Sequence, residues 1–252
     1  MKQMGGTFDI GQEFERRKGE LPGGGAVAQL RKQGIEDFLI KGLPTAKTEG
    51  WRYADLKRLD AKRLPPVPAR QTPAAAPVTD WPFAAASGEK IKLARQIPGA
   101  SMKSAAEVLQ AKDALGENLF LPAAGDHPFD QLNRAFAKEG FVLDIASGAK
   151  ISGLEIVMAS AGMREGARYM RNLIRIGAGA TATLFLRTLS TDDGGWLNAV
   201  TKIQIGEGAH LTLYGGFESG KEVLLSSLAH VAIARNGRFS YRPLAVGVLS
   251  LR

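Results

Sequence analysis

A short unit that recurs four times in the second half of the chain constrains its fold more than any other feature. The fourth residue of each copy is Gly148, Gly179, Gly208 or Asn236, and these residue types most readily adopt a positive φ. Each copy therefore predicts an inward apolar side chain, a tight turn and a following strand. The isoleucines that begin the copies stand 31, 29 and 28 residues apart, in Ile145–Ala149, Ile176–Ala180, Ile205–Ala209 and the degenerate Ile233–Gly237.

The apolar period changes from 3.6 to 2 at Phe141, and from there short β-type runs follow one another without a helical pattern. A strand–turn–strand repeat of this length is typical of a solenoid, in which stacked repeats bury a continuous core. Short strands without intervening helices favour coils of a parallel β-helix, each repeat making one large coil or two small ones. From the pattern alone, a β-sandwich or meander with similar glycine turns stays open.

The first 140 residues carry helical patterns instead. Apolar residues at helical spacing predict a helix over residues 26–41, which Gly42 ends. A second helix is predicted at about 101–115, with Ser104 and Glu107 at capping-box spacing. A third is predicted at about 127–139, with Asp126 as its N-cap and Gly140 at its end.

Glycines and prolines mark the boundaries between these regions. The run Gly23–Gly25 follows a mixed-charge stretch that can bury little, and six of the twelve prolines fall between residues 64 and 82. The predicted organisation is a flexible tail over 1–25, an N-terminal helical segment over 26–63, a proline-rich linker over 64–82, a mixed and helical segment over 83–140, and a β-helix core over 141–252.

Composition excludes several classes of function. The 252 residues include no cysteine, which rules out disulfides, thiolate catalysis and cysteine-ligated metal, and favours a cytoplasmic location. No apolar run is long enough to span a bilayer, and the acids among the first twenty residues argue against a signal peptide. The net charge of +8 lies towards the two ends of the chain, which favours a solvated basic surface over nucleic-acid binding.

A search for catalytic, cofactor-binding or metal-ligating residues identifies none. His127, His210 and His230 are far apart in sequence, and each fits a structural or surface role. The glycine units lack the lysine and following helix of a phosphate loop. The adjacent acids Asp192 and Asp193 precede two glycines, a composition typical of a turn.

The densest motif is Gly42-Leu43-Pro44-Thr45-Ala46-Lys47-Thr48-Glu49-Gly50-Trp51-Arg52-Tyr53, followed by Leu56 and Leu59. It resembles a signature near the start of SufD proteins, which belong to the SufB/SufD family of iron–sulfur cluster assembly. The segments 132–140, 171–180 and 205–209 resemble the element that leads into the family's β-helix and two of its coils. The resemblance covers the chain from about Arg31 to its last residue.

The resemblance implies a mostly β fold, a right-handed parallel β-helix preceded by an N-terminal helical region, with no catalysis of its own. It favours the SufD branch, because the SufB branch supplies thiols and this chain has none. The implied partners are a SufB-like paralogue, or a second copy in a homodimer, and a SufC-like ABC ATPase. No cofactor is expected on this chain alone, since the complex handles the cluster and the ATPase binds ATP.

Two features leave the functional reading open. Members of the family have longer chains, so the resemblance implies that this β-helix is incomplete and C-terminally truncated relative to them. The resemblance assigns no functional site to a numbered residue of this chain. The alternative is a carbohydrate-binding or carbohydrate-active β-helix protein, which needs acids and aromatic side chains aligned along one face of the coils.

Overall fold

The computed structural model describes residues 9–44, 65–68, 76–111, 114–122, 127–161, 163, 166–190, 194–220 and 222–246. Five α-helices are described, at Ile10–Arg17 (α1), Ala26–Lys41 (α2), Ala105–Ala111 (α3), Ala114–Phe120 (α4) and Pro128–Phe136 (α5), and a short 3-10 helix at Lys18–Glu20 follows α1. The eleven described strands are Phe83–Ser87 (β1), Lys90–Leu93 (β2), Ala100–Ser104 (β3), Phe141–Ile145 (β4), Lys150–Ser160 (β5), Ala167–Ile176 (β6), Thr181–Ser190 (β7), Trp196–Ile205 (β8), His210–Glu218 (β9), Leu224–Ile233 (β10) and Arg238–Val246 (β11).

The strands after residue 140 form a β-solenoid of about three turns, which confirms the predicted fold class. Successive strands alternate between two sheets, so each repeat of the sequence contributes one long strand to each sheet and makes one large coil. Sheet A has the order β10-β8-β6-β4-β3, and sheet B has the order β11-β9-β7-β5-β1-β2. From β4 onward all pairs within a sheet are parallel, which excludes the sandwich and meander alternatives.

The repeat unit sets the register of the coils. Ile145 pairs with Ile176, Ile176 with Ile205, and Ile205 with Ile233, so the four isoleucines form one column. The four turn residues that follow them have φ of 72°, 66°, 63° and 58°, in the order Gly148, Gly179, Gly208 and Asn236. The prediction of aligned turns with a left-handed residue at one register is confirmed.

The space between the two sheets is filled by the inward side chains of every strand. Residues at alternate positions, such as Leu143, Ile174 and Ile203 in sheet A and Leu154 and Leu184 in sheet B, are almost fully buried there. A period-2 pattern places every second side chain on this inner face. The outward side chains of sheet A form a second core with the helices, centred on Tyr169, Leu173 and Trp196.

The N-terminal residues belong to that second core, and the prediction of a flexible tail over 1–25 is wrong for residues 9–25. The Asp9 side chain accepts hydrogen bonds from the backbone N–H groups of Gly11 and Gln12, at 2.8 and 3.2 Å, and so caps α1. Ile10 and Phe14 are buried, and the Phe14 ring lies 5.9 Å from that of Phe136. Residues 1–8 lie outside the described part of the chain.

The helix predicted at about 101–115 is also corrected. Ala100–Ser104 is strand β3, which pairs antiparallel with β4, and the helical residues that follow form α3 and α4. The predicted capping box is present, because Glu107 N–H donates to Ser104 Oγ and Ser104 N–H donates to Glu107 Oε2. The third helix begins after His127, whose Nδ1 accepts from Phe129 N–H as the N-cap, and the predicted cap Asp126 lies outside the described residues.

The described parts of the proline-rich stretch contact the solenoid at two places. Pro66 forms a parallel bridge with Ala167, and residues 76–82 cross the outer face of sheet B. There the buried Glu155 carboxylate accepts hydrogen bonds from the backbone of Val78 and from both the N–H and the hydroxyl of Thr79. The motif residues Thr45–Tyr53, Leu56 and Leu59 lie outside the described residues.

Buried cations join the helices to sheet A. Arg31 donates to the carbonyl oxygens of Ala135 and Ala137 at the end of α5, at 3.2 and 2.8 Å, and its guanidinium lies over the Phe120 ring. Arg171 donates to Leu119 O at 2.6 Å near the end of α4. Helix C-termini carry unpaired carbonyl groups and a partial negative charge, so these contacts stabilise the buried arginines and the helix ends together.

Candidate functional site

The last coil of the solenoid exposes side chains that are buried in every earlier coil. Val231 continues the inner column of Ile174 and Ile203, yet it is 37% exposed. Ile233 is 50% exposed, and in sheet B the inward Tyr241 is 41% exposed. We call this surface the open end, consisting of Leu228, Val231, Ile233, Phe239, Tyr241 and Leu244.

The backbone at the open end is unpaired on one side. Strand β10 pairs with β8 and strand β11 pairs with β9, and among the described residues no further strand pairs with their outer edges. One row of unpaired N–H and C=O groups therefore faces outwards from each sheet. Such edges are templates for pairing with another strand.

The opposite end of the solenoid is covered. Strand β3 runs antiparallel to β4 and closes sheet A, while β2 folds back antiparallel on β1 and closes sheet B. The β2 edge carries the exposed Lys90 and Lys92, and charged edge strands discourage association. Terminal repeats of a solenoid need such a polar cap, so the two ends differ in the property that decides association.

The open end is basic as well as apolar. Arg235 lies in its turn, Arg238 and Arg242 lie on β11, and the sequence has no acid after Glu222. The Arg242 guanidinium lies 5.8 Å from the centre of the Tyr214 ring, and the rings of Phe239 and Tyr241 are stacked at 6.2 Å. Burial raises the pKa of Tyr241, so its hydroxyl stays neutral.

A groove of about 530 Å³ on the outer face of sheet A adjoins the open end. Its floor crosses the turn ends of four neighbouring strands, from Asp144 through Arg175 and Gln204 to Ala232. Arg175 Nε lies 3.7 Å from Asp144 Oδ1, and both side chains are about 40% exposed. Ile233 and Ala234 complete the groove wall, so a partner covering the open end also meets this groove.

A buried charged cluster lies behind β10. Arg171 binds the Asp130 carboxylate at 2.8 Å, and His230 Nε2 on β10 lies 3.9 Å from the same carboxylate oxygen. Burial opposes ionisation of Asp130, but the neighbouring Arg171 keeps its pKa below the usual value. Burial lowers the pKa of His230, which is therefore mostly neutral at pH 7.

Lys202 completes this cluster from β8. Its ammonium group donates to Asn118 O and Leu121 O at the end of α4. Burial, together with the nearby Arg171, lowers the pKa of Lys202 to about 8. The cluster holds the helices against sheet A and lies directly behind the edge strand of the open end.

The three histidines are not brought together. His127 caps α5, His210 is exposed at the start of β9, and His230 lies beside Asp130. Within the described ranges, no group of three or more His, Asp or Glu side chains could hold a metal ion. Asp192 and Asp193 lie outside the described residues. In the same ranges, no helix is both long and apolar enough to cross a bilayer.

The sequence shows part of the open end. Phe239, Tyr241 and Leu244 lie in a C-terminal run without acids. The exposure of Val231 and Ile233 has no signal in the sequence, because a strand at the edge of a sheet has the same alternating pattern as an internal one. A comparison with models of known protein families finds no match, and a comparison with curated proteins finds no relative either.

Proposed function

We propose that this protein is a non-catalytic scaffold component of iron–sulfur cluster assembly, similar to SufD, and that its open end binds a SufB-like paralogue. A SufC-like ABC ATPase is the proposed source of energy for the assembly. The same proposal places the protein in the cytoplasm, with partners that are proteins and neither nucleic acid nor membrane. The right-handed coil sense implied by the resemblance belongs to this proposal too.

The observation that carries the proposal is the difference between the two ends of the solenoid. Each sheet has an edge strand at both ends, but the antiparallel edge strands β2 and β3 expose lysines, whereas β10 and β11 expose Val231, Ile233 and Tyr241. A second solenoid, of the same chain or of a paralogue, can satisfy both the apolar side chains and the backbone groups at once. Fully burying one such side chain is worth about 1.5–3 kcal/mol, so a few of them support a stable association.

The chemistry of the chain agrees with a scaffold whose partner holds the cluster. The sequence has no cysteine, and thiolates are the usual ligands of iron–sulfur clusters. The partner would therefore supply the thiols. The fold and the N-terminal helical layer also agree with the family that the sequence motifs resemble.

The carbohydrate alternative needs unpaired acids beside aromatic side chains. On the outer face of sheet B, the acids of β5 and β9 are Glu155 and Glu218, and both bind Arg187, at 2.9 and 3.1 Å. A carboxylate held by an arginine is a poor general acid because its ionised form is stabilised. This arrangement favours the scaffold over a carbohydrate-active enzyme.

Co-purification tests the proposal. The tagged full chain is expressed with a cysteine-containing SufB paralogue and a SufC-type ATPase from one organism, and both are expected to elute with it in fixed ratios. Ile233→Glu is expected to lose the paralogue, whereas Ile40→Glu, on an exposed face of α2, retains it. Absence of both partners from the wild-type eluate would overturn the proposal.

A further inference from the structure

The outer face of sheet B carries a row of aromatic side chains that continues across its strands. Phe185 on β7 pairs with Tyr214 on β9, and Tyr214 pairs with Arg242 on β11. The two rings are half-buried, and the Arg242 guanidinium lies over the Tyr214 ring. Trp81 borders this row at β5, where its ring lies directly against the backbone of Gly153, whereas the β5 residue paired with Phe185 is Glu155.

Glycines let two of these rings pack close to the sheet. A Cβ atom on Gly153 would lie 2.3 Å from the Trp81 ring, and one on Gly216 would lie 3.0 Å from the Phe185 ring. Because neither glycine has a side chain, both rings lie close to the backbone.

A hydroxyl row and a cationic row lie beside the rings. Thr183 pairs with Thr212 and Thr212 pairs with Ser240, so three hydroxyls cross the strands in line. Nearer the turns, exposed Lys150 and Arg238 lie at the two ends of the next row. We call this surface the basic–aromatic strip, defined by Lys150, Phe185, Thr212, Tyr214, Arg238 and Arg242.

The strip carries positive charge without matching acids. Lys150, Arg238 and Arg242 form no ion pair with another described residue. Glu155 and Glu218, the acids of β5 and β9, lie further along the strands and bind Arg187. The nearest turn adds one carboxylate, that of Glu207, and one further cation, Arg235. The strip therefore has a net positive charge and attracts an anionic partner.

We propose that the basic–aromatic strip is a second protein-docking surface, which binds an acidic segment of a partner. Tyrosine, tryptophan and arginine are the residues that carry most binding energy at protein interfaces, and all three line this surface or its border at Trp81. The hydroxyl row supplies adaptable hydrogen bonds of the kind found in protein-binding surfaces. This partner is a member of the assembly machinery only if the proposed function holds. Its acidic character is inferred independently, from the positive charge of the strip.

The strip and the open end face different directions and meet at β11. The rings of the strip face outwards from sheet B, whereas Val231 and Tyr241 face the space between the sheets. Arg238 and Arg242 lie on β11, the edge strand of the open end, so they border both surfaces. A partner on the strip would therefore lie beside a partner at the open end.

A fluorescent oligoglutamate peptide tests the strip by anisotropy titration at low salt. The double variant Lys150→Glu/Arg242→Glu is compared with Lys90→Glu/Lys92→Glu, which makes the same charge change on β2 of the same sheet. The strip variant is expected to weaken binding by about tenfold or more, and the β2 variant by less than about twofold. Tyr214→Ala, which changes no charge, is expected to weaken binding several-fold, with melting curves confirming that each variant is folded.

Equal weakening by the two double variants would overturn the proposal, because binding would then follow net charge alone. Tighter binding of a single-stranded oligothymidine than of the peptide would also overturn it, in favour of a nucleic-acid surface. The titration contains no assembly partner. If the assembly partners fail to co-purify but the peptide still binds the strip, only the proposed function is contradicted. If the two double variants weaken peptide binding equally, only the proposal for the strip is contradicted.

Discussion

Ile233 lies directly opposite Ile205 across β10 and β8, yet half of Ile233 is exposed whereas only 3% of Ile205 is. The two isoleucines occupy the same position in successive repeats and point into the same inner column. They differ because, among the described residues, Ile205 has a coil on each side and Ile233 has a coil on one side. This difference creates the open end on which the proposed function depends.

Self-association through the open end is the first prediction. We expect the wild-type chain and Ile40→Glu to scatter light as a dimer or larger species, and Ile233→Glu as a monomer, at concentrations on the order of tens of micromolar. Both substitutions replace an exposed isoleucine by glutamate, so they make the same chemical change. Ile40 in α2 is 82% exposed and Ile233 in β10 is 50% exposed. A monomeric wild-type chain, or a dimer that survives Ile233→Glu, would contradict the prediction.

The turn glycines provide the second prediction. Gly179 has a φ of 66° and open space around its Cα, so Gly179→Ala adds only backbone strain and is expected to cost about 1–2 kcal/mol of unfolding free energy. A Cβ on Gly177 would lie 2.4 Å from the backbone nitrogen of Ser147 in the preceding coil. Gly177→Ala is therefore expected to cost more, as measured by urea unfolding. A smaller loss for Gly177→Ala than for Gly179→Ala would contradict the stacking of these turns.

The third prediction concerns the contact between residues 76–82 and sheet B. Glu155 is fully buried and binds Arg187 and Thr79, whereas Glu218 binds the same arginine with about half of its side chain exposed. We expect Glu155→Gln to lower the unfolding free energy by about 1.5–3 kcal/mol and to speed proteolysis within residues 76–82. Glu218→Gln is expected to cost about 1 kcal/mol or less. Equal effects of the two variants would show that Glu155 does not hold this segment.

The fourth prediction is a pH dependence from Lys202. Burial lowers its pKa from 10.5 to about 8, so between these values the unfolded chain binds more protons than the folded chain. The contribution of Lys202 to the unfolding free energy must therefore rise with pH over this window. Replacing the lysine by methionine should remove this rise.

Chemical denaturation between about pH 7 and pH 10 measures the slope that belongs to Lys202. Lys202→Met is compared with Lys103→Met, which removes an exposed lysine from β3. Only Lys202→Met is expected to flatten the curve relative to the wild type. Parallel curves for all three proteins would mean that folding does not change the pKa of Lys202.

Local pattern was sufficient where neighbours in sequence decide the structure. The capping pair Ser104 and Glu107 was identified from spacing, and the turn residue Asn236 from its tolerance of a positive φ. The helix predicted at 101–115 failed at its start because β4 pairs with Ala100–Ser104 and overrides local propensity. The prediction of a flexible tail was wrong because Ile10 and Phe14 pack against apolar side chains of elements that are distant in the sequence.

The sequence by itself determined the repeat of this protein, with a period of about 29 residues and one left-handed turn residue in each copy. The parallel pairing that turns this repeat into a solenoid, and not a β-sandwich, was shown by the tertiary structure. The sequence could not determine which strand ends each sheet, since Ile205 and Ile233 have the same local pattern. Only the tertiary structure aligned Phe185, Tyr214 and Arg242 on one face and left Ile233 uncovered. Exposure and cross-strand contacts depend on residues far apart in the chain, and these are the properties on which binding depends.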